Sequence, residues 1–257
     1  MQTWRGGDGR MEDMSFQRCA VTGGAILYDP LWGGNAPEFL FDREYWRRLG
    51  RLREQRAGRG TIAILAHERG PLVLRHYRRG GWPSRLSADR FLFTGESRVR
   101  SFGELELHAR LAAQGLPVPL PVAARYRRRG LGYEADLVTA LVPATRPLSA
   151  RLAERALDPS CWRAIGACIA RFHAAGFDHA DLNAHNVLVD DAGRVHLVDL
   201  DRGRLRRPGF WRRRNLRRLR RSLDKLARTR AVGFGSDDWA TLCAGYDASA
   251  GVPPVRA

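Results

Sequence analysis

Short aliphatic and β-branched runs bounded by turn residues dominate the first half of this chain, and helical spacing dominates the second. T-I-A-I-L-A (61–66) and L-V-L-R-H-Y (72–77) read as two strands. V-A-A-R-Y (122–126) and L-G-Y-E-A-D-L-V-T-A-L-V (131–142) read as a hairpin turning through the basic R-R-R-G. Between these pairs, Phe102, Leu105, Ala109 and Ala112 share one face of a helix over 101–113. Ser101 is placed to cap that helix, Glu104 would complete a capping box, and Gly115 would end it. The segment 116–122, L-P-V-P-L-P-V, has three prolines and cannot be helical. Upstream, a helix is expected over Pro37–Arg53, among turns.

The spacing changes after Pro143 and Pro147. The boundary between two lobes is placed there: 1–143, with residues 1–57 as an N-terminal extension, and 144–257. Asp158 and Pro159 form a cap and first-turn pair. Ile165, Cys168, Ile169 and Phe172 then follow at helical spacing, and Gly176 stops the helix. V-L-V (187–189) and V-H-L-V-D (195–199) flank D-D-A-G as a small hairpin. Leu216, Leu219, Leu223 and Leu226 mark the apolar stripe of a last amphipathic helix. The fold class expected is α+β: a β-rich lobe with one helix, then a mostly helical lobe.

Charge changes this picture. The 257 residues carry a formal net charge of +17, and Lys225 is the only lysine. Arg202–Arg230 alone holds fourteen basic residues against one acid, Asp224, a net of +13. Phe210 and Trp211 stand at the head of this stretch. A basic amphipathic helix with aromatics suits an anionic membrane surface. Arg212, Arg213, Arg214, Arg217, Arg218, Arg220 and Arg221 are the candidate lipid contacts. The competing reading is a core-packed helix with a solvated basic face. The leucines are expected to pack inward, which leaves arginines for lipid phosphates. Nucleic acid is disfavoured, because no known module is present and few aromatics interleave the arginines. The four cysteines form no C-x-x-C, the first residues lack the apolar core of a signal peptide, and no apolar run is long enough to span a bilayer.

The chemistry concentrates in F-D-H-A-D-L-N-A-H-N-V-L-V-D-D-A-G-R-V-H-L-V-D-L-D-R-G (177–203). Asp181 and Asn186 lie in a loop entering the hairpin, and Asp199 lies at its far end. The spacing is that of a kinase catalytic loop, H-x-D-x-x-x-x-N, with an Asp thirteen residues after the Asn. Turn chemistry would account for any one of these acids but not for the set. Asp181 would orient or deprotonate an acceptor hydroxyl. Asn186 and Asp199 would hold Mg²⁺ on nucleotide phosphates, and His179 would brace the loop, as would His185. In the first lobe, Gly58 and Gly60 would turn over the phosphates of ATP. Arg75 stands where a protein kinase carries its strand lysine. Glu104 has two readings, ion-pair partner of Arg75 or capping-box acid. Ala180 and Asn183 replace the catalytic-loop arginine and lysine of protein kinases, and D-L-D replaces D-F-G. The short segment after Asp199 leaves little room for a peptide platform, so a small or lipid-linked hydroxyl is the expected acceptor.

These motifs resemble the bacterial Kdo kinases, which belong with the lipopolysaccharide core heptose kinases. The likeness runs from about Gly58 to Lys225. It rests on G-R-G-T-I-A-I-L, L-V-L-R-H-Y-R-R-G-G (72–81), D-R-F-L-F (89–93), G-L-P-V-P-L-P-V-A-A-R (115–125), H-A-D-L-N-A-H-N (179–186), V-D-L-D-R-G (198–203) and N-L-R-R-L-R-R-S-L-D-K (215–225). The resemblance implies a protein-kinase-like two-lobe fold, ATP and Mg²⁺. It also implies a hydroxyl of Kdo on lipid A, by family expectation the 4-hydroxyl, as acceptor, and work at the cytoplasmic face of a Gram-negative inner membrane. Arg78, Arg79, Arg98 and Arg100 are candidate acceptor contacts. A heptose kinase, a soluble aminoglycoside- or choline-type kinase, and a membrane-binding pseudokinase are the rival readings.

Overall fold

The computed structural model describes residues 16–57, 60–77, 91–230 and 232–250. Contacts gather into two compact units: 1–109 with 120–141, and 110–119 with 142–257.

The first unit is built on an antiparallel sheet. Its strands are β1 (Gln17–Val21), β2 (Gly24–Tyr28), β3 (Leu52–Ala57), β4 (Gly60–His67), β5 (Gly70–His76), β6 (Phe91–Leu92), β7 (Pro121–Arg129) and β8 (Gly132–Ala140). They run in the order β1-β2-β7-β8-β5-β4-β3, with β6 also paired to β8. The expected strands and the 122–142 hairpin are therefore present. Residues 17–28, within the expected N-terminal extension, form a strand pair on the sheet edge. An apolar cluster lies on each sheet face. Leu40, Phe41 and Trp46 cover Leu72, Leu74 and Val138 on one face. On the other, Phe102 and Leu105 pack with Ala124, Tyr126 and Leu137. Alternation along β5 turns Leu74 to the first face and Arg75 to the second.

Two local expectations fail here. The helix expected over Pro37–Arg53 is a 3₁₀ turn (Pro37–Phe41) with a short α2 (Arg43–Arg48), after α1 (Pro30–Gly33). Asp42 divides it: its carboxylate accepts from the N–H groups of Glu44 (2.9 Å) and Tyr45 (3.0 Å), capping a new helix. Beyond Gly50, the chain enters β3, so Arg53 is a strand residue. Ser101 does not cap the next helix, α3 (Arg100–Ala113). It is buried inside the first turn, where its hydroxyl donates to the Arg125 carbonyl (3.0 Å). The far end behaves as expected. Leu116 N–H bonds to the Leu111 carbonyl and Gly115 N–H to that of Ala112, with Gly115 at φ +68°.

The second unit contains β9 (Thr145–Pro147), α4 (Leu148–Glu154), α5 (Pro159–Ala174), β10 (Phe177–Asp178), β11 (Val187–Asp190), β12 (Val195–Leu197), β13 (Arg204–Leu205), α6 (Trp211–Arg230) and α7 (Ser236–Ser249). β11 and β12 are the expected hairpin, and β9 extends it. Its turn is held by Asp190, whose Oδ1 accepts from the N–H groups of Ala192 (3.0 Å) and Arg194 (2.7 Å). Trp162, Ile165, Ile169 and Phe172 of α5 are buried, and so are Leu219, Leu223 and Leu226 of α6, so three of the four stripe leucines pack inward while Leu216 stays partly exposed. α5 and α7 touch backbone to backbone. A Cβ on Gly166 would stand 2.0 Å from the Leu242 carbonyl oxygen, and one on Gly245 would stand 2.3 Å from that of Arg163.

Candidate active site

In the sheet unit, Arg75 and Glu104 meet on the α3 face. The Arg75 guanidinium donates to Glu104 Oε2 and to the Tyr77 hydroxyl (3.2 Å), and it lies 4.7 Å over the Tyr77 ring. The Tyr77 hydroxyl donates to the same Glu104 oxygen. His108 Nε2 stands 3.7 Å from the other oxygen. The Glu104 side chain is 2% exposed and that of Arg75 is 26% exposed. Burial alone would push the Glu104 carboxyl up. Arg75, His108 and Tyr77 outweigh burial and bring it down to about 2. Of the two readings of Glu104, the ion pair is the one the geometry adopts. Gly60 opens β4, whereas Gly58, Arg78 and Arg79 lie outside the described residues. Arg100 stacks 4.5 Å over Phe91.

In the helical unit, the 179–186 loop is closed by its own polar groups. His179 Nδ1 accepts from the Asp181 N–H (3.2 Å), and Nε2–H donates to the Val198 carbonyl (3.1 Å). Using both nitrogens selects the neutral tautomer with its proton on Nε2. The Asp181 carbonyl accepts from the side-chain amides of Asn183 (3.0 Å) and Asn186 (2.9 Å). Val198 N–H donates to the Asn186 carbonyl (3.0 Å), tying the loop to the segment that carries Asp199. Asp199 sits just past β12 in left-handed backbone, at φ +59°. His185 Nδ1 lies 2.7 Å from the Ser149 hydroxyl, a second brace.

Helix α6 secures the loop from behind, and the sequence reading missed this. Asn215, fully buried, accepts from the His179 N–H (3.0 Å) and donates to Asp178 Oδ1 (2.9 Å). One turn on, Arg218 reaches the His179 carbonyl at 3.5 Å. Another turn on, the Ser222 hydroxyl accepts from the Ala184 N–H (3.2 Å). Burial raises the Asp178 carboxyl, but bonds from Asn215 and Arg206, with the charge of Arg214, leave it below the ordinary range. The available signal was Asn215 itself, one of four asparagines, standing in a run of arginines.

The arginines of α6 therefore divide. Arg212 donates to the His173 carbonyl (2.8 Å), Arg214 to Asp178 (2.9 Å) and Arg220 to Asp224 (2.9 Å). With Arg218, these four are tied to partners within the protein. Arg213, Arg217 and Arg221 are exposed.

Chemically, the loop presents an exposed carboxylate, Asp181, on a rigid backbone. Among the described residues nothing hydrogen-bonds to that carboxylate. Asn186 spends its amide nitrogen on the Asp181 carbonyl, so its amide oxygen is the atom left to act as a ligand. One amide oxygen and one carboxylate, Asp199, fit Mg²⁺, which takes few protein oxygens and keeps water and phosphate ligands. When bound, Mg²⁺ would neutralise phosphate charge.

A model of the lipopolysaccharide kinase (Kdo/WaaP) family matches residues 43–246. The chain belongs to that family. It is 43% identical over 228 residues to a 3-deoxy-D-manno-octulosonic acid kinase of Stenotrophomonas maltophilia (strain K279a), covering 87% of this chain and 90% of the relative. Proteins of the same name from Xanthomonas axonopodis pv. citri (45% over 225 residues; 87% and 90% covered) and Photobacterium profundum (38% over 222; 86% and 94% covered) are similar too. A solved structure of WaaP in complex with acyl carrier protein is 22% identical, with a TM-score of 0.49 and 85% of each chain covered. As a member of this kinase family the chain has a protein-kinase-like fold, with an antiparallel sheet unit and a helical unit, and is a phosphotransferase with a hydroxyl acceptor.

Proposed function

We propose that this protein transfers the γ-phosphoryl group of ATP to a hydroxyl of Kdo, the 4-hydroxyl, on Kdo-lipid A during lipopolysaccharide core synthesis. The observation that carries the proposal is the 179–186 loop, an exposed Asp181 on a backbone fixed by His179, Asn186 and Asn215. Extensive identity to Kdo kinases favours Kdo over heptose as acceptor. The acceptor oxygen attacks the γ-phosphorus as the bond to the β–γ bridging oxygen breaks. The hydroxyl proton passes to Asp181, and ADP leaves. Phosphoryl transfer has a loose transition state, so positioning and charge do most of the work. Asn186 and Asp199 would hold Mg²⁺. Arg75, kept in place by Glu104 and Tyr77, would grip the α- and β-phosphates in place of a lysine. Among the described residues no helix is long and apolar enough to cross a membrane. The basic face of α6 would bring the enzyme to its lipid-linked acceptor at the cytoplasmic face of the inner membrane.

The test is incubation with ATP, Mg²⁺ and Kdo-lipid A in detergent micelles, with mass spectrometry of the lipid. One added phosphate on the Kdo fragment is expected, and none with Asp181→Ala. Phosphorylation of heptosylated core alone would move the acceptor to heptose. No ATP turnover with any acceptor would leave a binding protein.

A further inference from the structure

Three of the α6 arginines without a side-chain partner among the described residues form a line. Phe210, Arg213, Arg217 and Arg221 recur at intervals of three, four and four residues, so they share one side of the helix. The N–H of Arg214 bonds to the Phe210 carbonyl (3.2 Å), so Phe210 belongs to the same helical geometry. Its side chain is 86% exposed. Among the described residues, Arg213, Arg217 and Arg221 form no ion pair or side-chain hydrogen bond. Like charges four residues apart on a helix repel, and an anion along the line would relieve that cost.

This line borders a groove of about 400 Å³ lined by Arg213, Leu216, Arg217, Arg220, Arg221 and Trp239. Arg220 forms part of its wall, its guanidinium 5.2 Å from the Phe234 ring centre and 5.3 Å from that of Trp239. The groove is on a different side of α6 from the residues that hold the catalytic loop. Asn215, Arg218 and Ser222 point about 130° round the helix from Arg213, Arg217 and Arg221 at ~100° per residue. A phosphate held in the groove is therefore not the acceptor at Asp181.

We infer that this groove and its line of arginines dock on the phosphates of anionic glycerophospholipids in the bilayer, with Phe210 inserted beneath the headgroups. Three observations favour a lipid surface over a soluble ion. The three arginines extend over about 12 Å of helix rather than closing a cup. The groove lining includes apolar surface, from Leu216 and Trp239. An exposed phenylalanine heads the line, as in helices that lie in the membrane interface. The inference deepens the membrane part of the proposed function and makes the attachment site separate from the acceptor site.

The experiment is sedimentation of the full chain with vesicles of phosphatidylcholine plus phosphatidylglycerol, against phosphatidylcholine alone, with no lipid A present. The triple variant R213Q/R217Q/R221Q should lose on the order of 100-fold in partition to the anionic vesicles, at about fivefold per arginine near such a surface. The charge-matched control R48Q/R53Q/R69Q alters exposed arginines of the sheet unit and should lose no more than a few-fold. Phe210→Ala should cost about tenfold, the apolar part of binding. Circular dichroism would verify that each variant is folded. Equal losses in the two triples would reduce the effect to net charge and overturn the site. So would partition that needs Kdo-lipid A in the vesicle, or an α6 line that binds RNA and not vesicles. A protein that binds these vesicles through Arg213, Arg217 and Arg221 but phosphorylates no Kdo would overturn the acceptor and keep the docking site.

Discussion

Glu104 and Asp181 are both carboxylates in this kinase, and their surroundings are opposed. Glu104 is buried, and side chains hold it: Arg75 and Tyr77 bond to one oxygen and His108 stands beside the other. Asp181 is exposed, and what is held is its backbone: His179 takes its N–H, while Asn183 and Asn186 take its carbonyl. The first arrangement suits a charge whose task is to keep a neighbouring guanidinium in place. The second suits a carboxylate that must meet a substrate hydroxyl and take its proton. One is stabilised by its charge partners, the other is oriented without being neutralised.

If that contrast holds, Asp181→Ala should lower kcat by about 10²–10⁴-fold and leave the thermal midpoint nearly unchanged. A large fall in Tm would show that the carboxylate is structural after all. Arg75→Ala should cost stability as well as the hold on ATP. It strands a buried Glu104 and should destabilise folding by about 3–5 kcal/mol, read by urea unfolding. Adding Glu104→Gln should recover part of that loss. Acid titration of stability sharpens the same point. The Glu104 carboxyl is lowered from 4.5 to about 2, so its contribution is complete above pH 4.5 and is lost as pH falls toward 2. That contribution is about 3 kcal/mol, and a Glu104→Gln chain should show a shallower acid limb. Smallest is Asn215→Ala, about 1–3 kcal/mol, since it leaves the His179 N–H and Asp178 short of a partner. Its diagnostic reading is kinetic: kcat falls while KM for ATP stays level.

The hairpin around Asp190 and the strands of the sheet unit were legible because their signals are local, turn residues between apolar runs. The Asp181 loop was legible because a kinase loop has fixed spacing. Glu104 was legible only as a pair of alternatives, since a capping box and an ion pair can use the same residue. What chose between them was Ser101, drawn inside α3 by the Arg125 carbonyl across the sheet. The break at Asp42 was overlooked because apolar periodicity continues past it while the cap does not allow the helix to continue. Asn215, Arg218 and Ser222 were hidden by distance. Their partners lie more than thirty residues upstream, and no local pattern links a helix to the loop it supports.

The crossing at Gly166 and Gly245 makes α7 a part fitted without clearance. A joint with no play passes on displacement rather than absorbing it. Any side chain larger than hydrogen at either glycine moves α7 as a body, and α7 carries Tyr246, which lies 2.8 Å from His173, and Trp239, which packs on Arg220. Damage at this crossing would therefore be felt at two places on α6, through the His173 carbonyl that holds Arg212 in the first turn and through Arg220 at mid-helix.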